Sequence, residues 1–244
     1  MNVRPFAVFG LTVALASFAA VAAASSWQFV IPEGWVDLSP GKPVPEGVPE
    51  EVATMTQSGI FVVYGMDLKG AKDGFAENVN AVVQPAVLVA DEAELARYAS
   101  ELPAQVRREV PGAKATVLEQ GVVPIGGVPS FRFVVDVDAP QAHMRTLQYV
   151  IPGGSEAAML TYTSTPDAFA TYLPTFEKAA AATQGAAAAP TAAKLGRKLV
   201  TSTGVSAGDW QKIFGFGGKV IGAIVAVLVV GVLSRIGRRK KAAL

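Results

Sequence analysis

The chain of 244 residues has no cysteine and a single histidine, His143. The first absence removes disulfides, thiol nucleophiles, zinc–thiolate sites and lipid attachment through an N-terminal cysteine. The second leaves one imidazole for acid–base or metal chemistry, with no second histidine to complete a ligand set. No D-x-D-x-D-G loop occurs either, which removes the common signature of a calcium loop. The "GFGG" near Gly215 follows no strand-like run and precedes an apolar segment, so it is not a phosphate cradle.

What is present is unevenly spread. The formal net charge of +1 hides a segregation: residues 25–183 carry 10 Lys/Arg against 19 Asp/Glu, whereas residues 184–244 carry 10 Lys/Arg against Asp209 alone. The globular part is therefore acidic, and binding to a nucleic-acid backbone is not expected of it. The basic charge belongs to the C-terminal end, beside an apolar run.

Both ends have their own character. Residues 1–24 read as a secretory signal peptide: Arg4 in a short leading region, an apolar stretch from Phe6 to Val21, then Ala22, Ala23 and Ala24 before Ser25. Residues 210–236 read as a transmembrane helix. Its core, Ile213 to Leu233, is 21 residues long with Lys219 as its one charge. At about 1.5 Å per residue it spans roughly 31 Å, the thickness of a bilayer core. Lys219 is near enough to the start to snorkel, and Trp210 marks the interface. Arg235, Arg238, Arg239, Lys240 and Lys241 crowd the far side, so residues 237–244 read as a basic cytoplasmic tail. The acidic domain then lies outside, as a cleaved signal peptide also requires. The bilayer is thus an expected partner, through residues 213–236. Gly218 and Gly222 form a G-x-x-x-G, a spacing that permits close helix pairing. A second reading stays open for this end: Gly217-Gly218, an apolar run and an arginine-rich terminus resemble bacterial C-terminal sorting signals that are cut off. Residues 184–209, rich in Ala, Gly, Ser and Thr, read as a semi-flexible tether.

The middle, residues 25–183, reads as one α+β domain. "WQFVIPEGW" opens it with alternating Trp27, Phe29 and Ile31, a strand pattern ended by Pro32. Gly59 to Leu68 and Asn78 to Leu88 are the next strands, with Pro85 suggesting an edge or a bulge. Asp91 and Glu94 form a capping pair for a helix carrying Leu95, Tyr98, Leu102 and Val106 at helical spacing, and Pro103 is expected to kink or split it. Four strands follow: Ala115 to Val123, Ser130 to Asp138, Met144 to Ile151 and Ala157 to Ser164. Gly126-Gly127 and Gly153-Gly154 are expected to supply positive φ for two hairpins. Thr165 and Pro166 then start a helix with Phe169, Tyr172, Leu173 and Phe176 on one face. Strands far outnumber crossovers, so the sheet should be antiparallel with helices covering its faces.

The opening "WQFVIPEGW", the order of elements and the "LTYTSTPDAFATYLPTFEKA" junction of last strand and last helix resemble the PsbP-like superfamily, including its DcrB-like bacterial envelope members, over residues 27–182. The resemblance implies an α/β/α sandwich used in assembly or binding, without enzymatic activity or a cofactor. One departure is that DcrB-like members are anchored through an N-terminal cysteine, which this chain lacks. The C-terminal helix would take over that role.

Three functional readings follow. The first is a non-enzymatic, membrane-tethered binding or assembly module of an envelope complex, with a protein partner in the envelope. The second is a small-ligand or lipid-binding domain with a pocket between helix and sheet. The third is a hydrolase centred on His143, with Asp136 or Asp138 behind it and Ser130 or Ser164 as nucleophile. Asp136, Asp138 and His143 are also three potential metal ligands, though solvated carboxylates at the end of a hairpin account for them equally. Glu50-Glu51 read as part of a solvated loop, and His143 as a surface residue of a hairpin loop. No catalytic, cofactor or metal residue is assigned.

Overall fold

The computed structural model describes residues 27–71, 75–140 and 142–185. The expected signal peptide, most of the tether, the transmembrane helix with Gly218, Lys219 and Gly222, and the basic residues Arg235, Arg238, Arg239, Lys240 and Lys241 lie outside them. Among the described residues no helix is long and apolar enough to cross a membrane.

Seven strands form one fully antiparallel sheet in the order β1-β2-β3-β7-β6-β5-β4. In chain order these are β1 (Val36–Asp37), β2 (Val63–Met66), β3 (Asn78–Pro85), β4 (Lys114–Ile125), β5 (Val128–Ala139), β6 (Ala142–Pro152) and β7 (Glu156–Ser164). Three helices cover it: α1 (Glu50–Thr56), α2 (Glu92–Glu109) and α3 (Pro166–Ala181). Strand alternation sends Phe131, Phe133, Val135 and Val137 of β5 to the face that packs with Val52 of α1 and Leu95, Tyr98, Leu102 and Val106 of α2. Val134, Leu147, Leu160 and Tyr162 go to the other face, under Phe169, Phe176 and Ala180 of α3. This is the expected α+β sandwich with an antiparallel sheet.

Local chemistry explains most boundaries. The Asp91 carboxylate accepts a hydrogen bond from Glu94 N–H at 2.9 Å, capping α2. The Thr165 hydroxyl does the same for Ala168 N–H at 3.3 Å, ahead of Pro166. Gly126 (φ 56°) and Gly127 (φ 81°) make the two-residue β4–β5 turn as expected.

Several expectations are corrected. Trp27 to Ile31 is not a strand of the sheet. Only Gln28 pairs, in an isolated bridge with Gln184, and the first strand is Val36–Asp37. Trp27 and Phe29 instead stack on each other at 5.9 Å over the α3 face. Pro85 does sit at a local edge, although β3 as a whole lies between β2 and β7. It ends the strand where β2, which reaches only from Asn78 to Ala81, is no longer alongside. Pro103 does not split α2, which runs as one helix through it. Tyr98 and Leu102 before the proline and Val106 after it are all buried on the same sheet face, and that packing outweighs the lost backbone bond. Glu50-Glu51 open α1 rather than sit in a loop. Two acids in a first turn suit the positive helix end, and Val52 and Thr56 are its buried side. In the β6–β7 turn only Gly154 has positive φ (84°). Gly153 answers a different need: a Cβ there would come within 2.3 Å of the Trp27 ring.

The strand directions define two poles. At one, the Gly126–Gly127 turn, the Gly153–Ser155 turn and the Gln28–Gln184 bridge meet. A Cβ on Gly126 would lie 2.9 Å from Thr183 O, Trp27 sits against Gly153 and Gly185, and Ala86 N–H donates to Ser155 O at 3.0 Å. At the other pole are the β5–β6 hairpin and the start of α3. The 12 residues of β5 separate the poles by roughly 40 Å at about 3.3 Å per residue.

Candidate functional site

His143 lies in β6, directly opposite Asp138 of β5, and not in the hairpin loop where the sequence suggests it. Asp136 and Arg145 are the next opposed pair two residues further from the turn. All four side chains leave the sheet on the α3 face, at the pole away from the Gln28–Gln184 bridge. His143 Nε2 is 2.9 Å from Asp136 Oδ2, and Arg145 Nε donates to Asp136 Oδ1, also at 2.9 Å. The Arg145 guanidinium lies over the Phe169 ring, 5.7 Å from its centroid, joining this cluster to the first turn of α3. Partial burial by itself would raise the Asp136 carboxyl, but hydrogen bonds from His143 and Arg145 outweigh it and hold the group below the usual carboxylate range.

The geometry therefore brings Asp136 to His143 and leaves Asp138 exposed between Lys114 and His143 in the strand register. The two serines considered as nucleophiles are both engaged by backbone carbonyls. Ser130 is at the opposite end of β5, buried, with its hydroxyl donating to Val128 O at 2.9 Å. Ser164 is opposite Arg145 but donates to Thr165 O at 3.0 Å. Asp136 is shared between an imidazole and a guanidinium, an arrangement that braces the β5–β6 hairpin. Among the described residues no three His, Asp or Glu side chains are grouped as a metal site. Arg145 was the member that sequence reading missed. Placing the turn tip at Pro140-Gln141 pairs residue 136 with 145, so hairpin register carried the signal.

A second cluster went unforeseen altogether. On the face shared with α1 and α2, the three central strands carry polar side chains where strands buried on both sides usually carry Val or Ile. Asn80, Thr161 and Gln148 stand side by side across β3, β7 and β6, and Asn78, Thr163 and Thr146 form the adjacent row. Tyr64 of β2 is opposite Asn80. All are at most 1% exposed. Tyr64 Oη, Asn78 Oδ1, both amide atoms of Asn80 and Gln148, the Thr161 and Thr163 hydroxyls and Gln84 Nε2 find no hydrogen-bond partner among the described residues. At about 1–3 kcal/mol for each such atom, leaving all of them unpaired would cost about 9–27 kcal/mol, at least as large as the whole stability of a typical domain, about 5–15 kcal/mol. Burial also drives the Tyr64 phenol well above its ordinary range, so it stays a neutral donor. The covering helices flank these rows: Tyr98 of α2 stacks on Phe133 at 5.2 Å towards β5, and Phe61, after α1, meets Tyr64 edge-on at 5.3 Å towards β2.

A groove of about 410 Å³ lies between Ala96, Ala99 and Ser100 of α2 and the stretch from Val117 to Gln120 of the edge strand β4. The register of β4 shifts between Val117 and Glu119, and Leu118 is left exposed there. A bulge of that kind twists an edge and discourages strand addition. The aromatics in or beside the strands are core: Trp27, Phe61, Tyr64, Phe131, Phe133, Tyr149 and Tyr162 are buried, and Trp35 is half-buried against Tyr172 and Phe176.

No protein-family profile and no curated protein matches the chain. Among solved structures it is similar to the cyanobacterial PsbP (CyanoP) of Synechocystis sp. PCC 6803, with 14% identity, a TM-score of 0.47, and coverage of 70% of this chain and 98% of that one. It is also similar to LpqN of Mycobacterium tuberculosis, described as involved in cell envelope biogenesis, with 14% identity, a TM-score of 0.42, and coverage of 65% and 82%. A PsbP thus stands among the similar structures, as the opening motif leads one to expect. The likeness concerns the fold and says nothing of activity or partners.

Proposed function

We propose that this chain is a non-enzymatic binding or assembly module of a cell envelope, tethered to a membrane by residues 210–236 with its folded domain on the extracytoplasmic side. The observation that carries the reading is the meeting of the domain's two ends. Gln28 N–H donates to Gln184 O at 2.8 Å and Gln184 N–H to Gln28 O at 3.0 Å, so the chain enters and leaves at one corner. A domain suspended from one corner offers its other pole, roughly 40 Å away, to whatever lies beyond the membrane surface. The His143, Asp136, Asp138 and Arg145 cluster occupies that pole. Its paired charges suit a polar contact, and tethering raises the local concentration of that surface near membrane partners.

The test is position-specific photo-crosslinking in intact cells. A crosslinker replacing His143, at the free pole, should capture one partner in stoichiometric yield, with the C-terminal tail still attached to the chain. The same crosslinker replacing Gly127, at the tethered corner, should not capture it. Equal capture from both positions, or a chain recovered without its tail and free of membranes, would refute the reading.

A further inference from the structure

We infer that the polar rows on the α1/α2 face of the sheet are the floor of a binding site for one small, uncharged ligand rich in hydroxyl or amide groups. The inference does not depend on the tethering reading, because it concerns the interior of the domain. Its floor is built from Tyr64, Asn78, Asn80, Gln148, Thr161 and Thr163, all on one face and all fully buried. Their unpartnered atoms include donors and acceptors in alternation: amide nitrogens and oxygens, two hydroxyls and a phenol. None of the six is charged, and the carboxylate next to them in sequence, Glu77, belongs to the opposite side, where it faces Tyr172. An ionic ligand would find no counter-charge on this floor, whereas a neutral one finds a hydrogen bond for each of several groups. Three strands about 4.8 Å apart and two rows about 7 Å apart give a footprint of roughly 10 by 7 Å, the size of a single substituted ring.

The floor is closed by the connection of residues 38–62, whose Leu38, Val52 and Phe61 are buried in the same core cluster as Tyr64, so a ligand enters only when that connection lifts. That connection is tied within itself: the Gln57 amide donates to Leu38 O and Ser39 O, and its oxygen accepts from Gly41 N–H.

The experiment compares the thermal unfolding of the full chain with that of Thr161→Val and of Thr161→Val/Thr163→Val, alone and with myo-inositol, N-acetylglucosamine or nicotinamide as probes. Valine keeps the threonine shape and removes only a hydroxyl that has no partner, so both variants should melt at or above the wild-type temperature. At least one probe should raise the wild-type Tm by about 3 °C or more at saturation, and the double variant should lose that rise. Variants that melt lower, or fail to fold, would show that the hydroxyls are already satisfied and would overturn the inference. No rise with any probe, or an equal rise in wild type and double variant, would overturn it as well. A Gln148→Leu variant, which removes the amide on the third strand, must follow the same pattern.

Discussion

Replacing Gly153 by alanine tests how the domain closes its corner. Gly153 has no positive φ, so the backbone itself tolerates a side chain. The obstacle is steric: a Cβ would lie 2.3 Å from Trp27 Cζ2, 3.1 Å from Cη2 and 3.2 Å from Cε2. The indole cannot simply retreat. Its other edge faces Gly185, where a Cβ would be 2.8 Å from Cζ3, its nitrogen donates to Glu156 Oε2 at 3.2 Å, and Phe29 stacks on it. Overpacking of this kind costs about 1–3 kcal/mol, and full expulsion of the ring approaches the roughly 3–5 kcal/mol of deleting a buried tryptophan. For a domain of this size each kcal/mol moves Tm by about 2–4 °C, so Gly153→Ala should lower it by roughly 4–10 °C. The control is Gly121→Ala in β4, where nothing lies within 4 Å and φ is ordinary; there the melt should stay level or rise slightly. Thermal unfolding followed by near-UV circular dichroism reads both. In a Trp27→Leu background the Gly153→Ala penalty should largely vanish, since the clash is with the ring. A Gly153→Ala protein that melts like wild type, or a penalty undiminished by Trp27→Leu, would refute the packing argument.

Other consequences follow from particular contacts. Asp136 is held below the usual carboxylate range in the folded chain, so its contribution to stability is complete above that range and disappears as pH falls through the folded value. Asp136→Asn should therefore flatten the fall of Tm below about pH 4 and leave a modest constant deficit at neutral pH, as expected of a partly exposed pair. Pro103→Ala should restore a backbone donor towards Ala99 O inside α2 and raise stability by about 1–3 kcal/mol, read by chemical denaturation. Thr165→Ala should remove the cap of α3 and cost about 1 kcal/mol in the same assay. His143→Ala and Arg145→Ala should weaken partner capture at the free pole to a similar degree, because each removes one member of the same paired-charge surface, and a loss of cellular phenotype confined to His143→Ala would reject the non-enzymatic reading.

Much of the architecture was legible because it rests on short-range chemistry. Period-two runs marked β4 to β7, Gly126-Gly127 marked a hairpin, and Asp91 and Thr165 marked helix starts, each a matter of dihedral angles and one nearby donor. The seven residues of α1 were too few to display a period, and its acids looked like a loop. The strand read at Trp27 was an alternation with nothing to pair with except Gln184, more than 150 residues away.

The candidate sites divide in the same way. Residue types alone determined that His143, Asp136 and Asp138 were the groups to examine, and that no thiol or second imidazole would assist them. Only the tertiary structure decided that Asp136 answers to Arg145 as well as His143, that Ser130 is a strand's length away, and that Gly153 exists to admit an indole. The polar rows make the point most sharply. Asn80, Gln148 and Thr161 come from three strands and look unremarkable in each, because a sequence records which side chains alternate but not which strands become neighbours. Composition and local pattern determined the elements and the charge of this protein; strand order, a property of the whole chain, decided which side chains share a face.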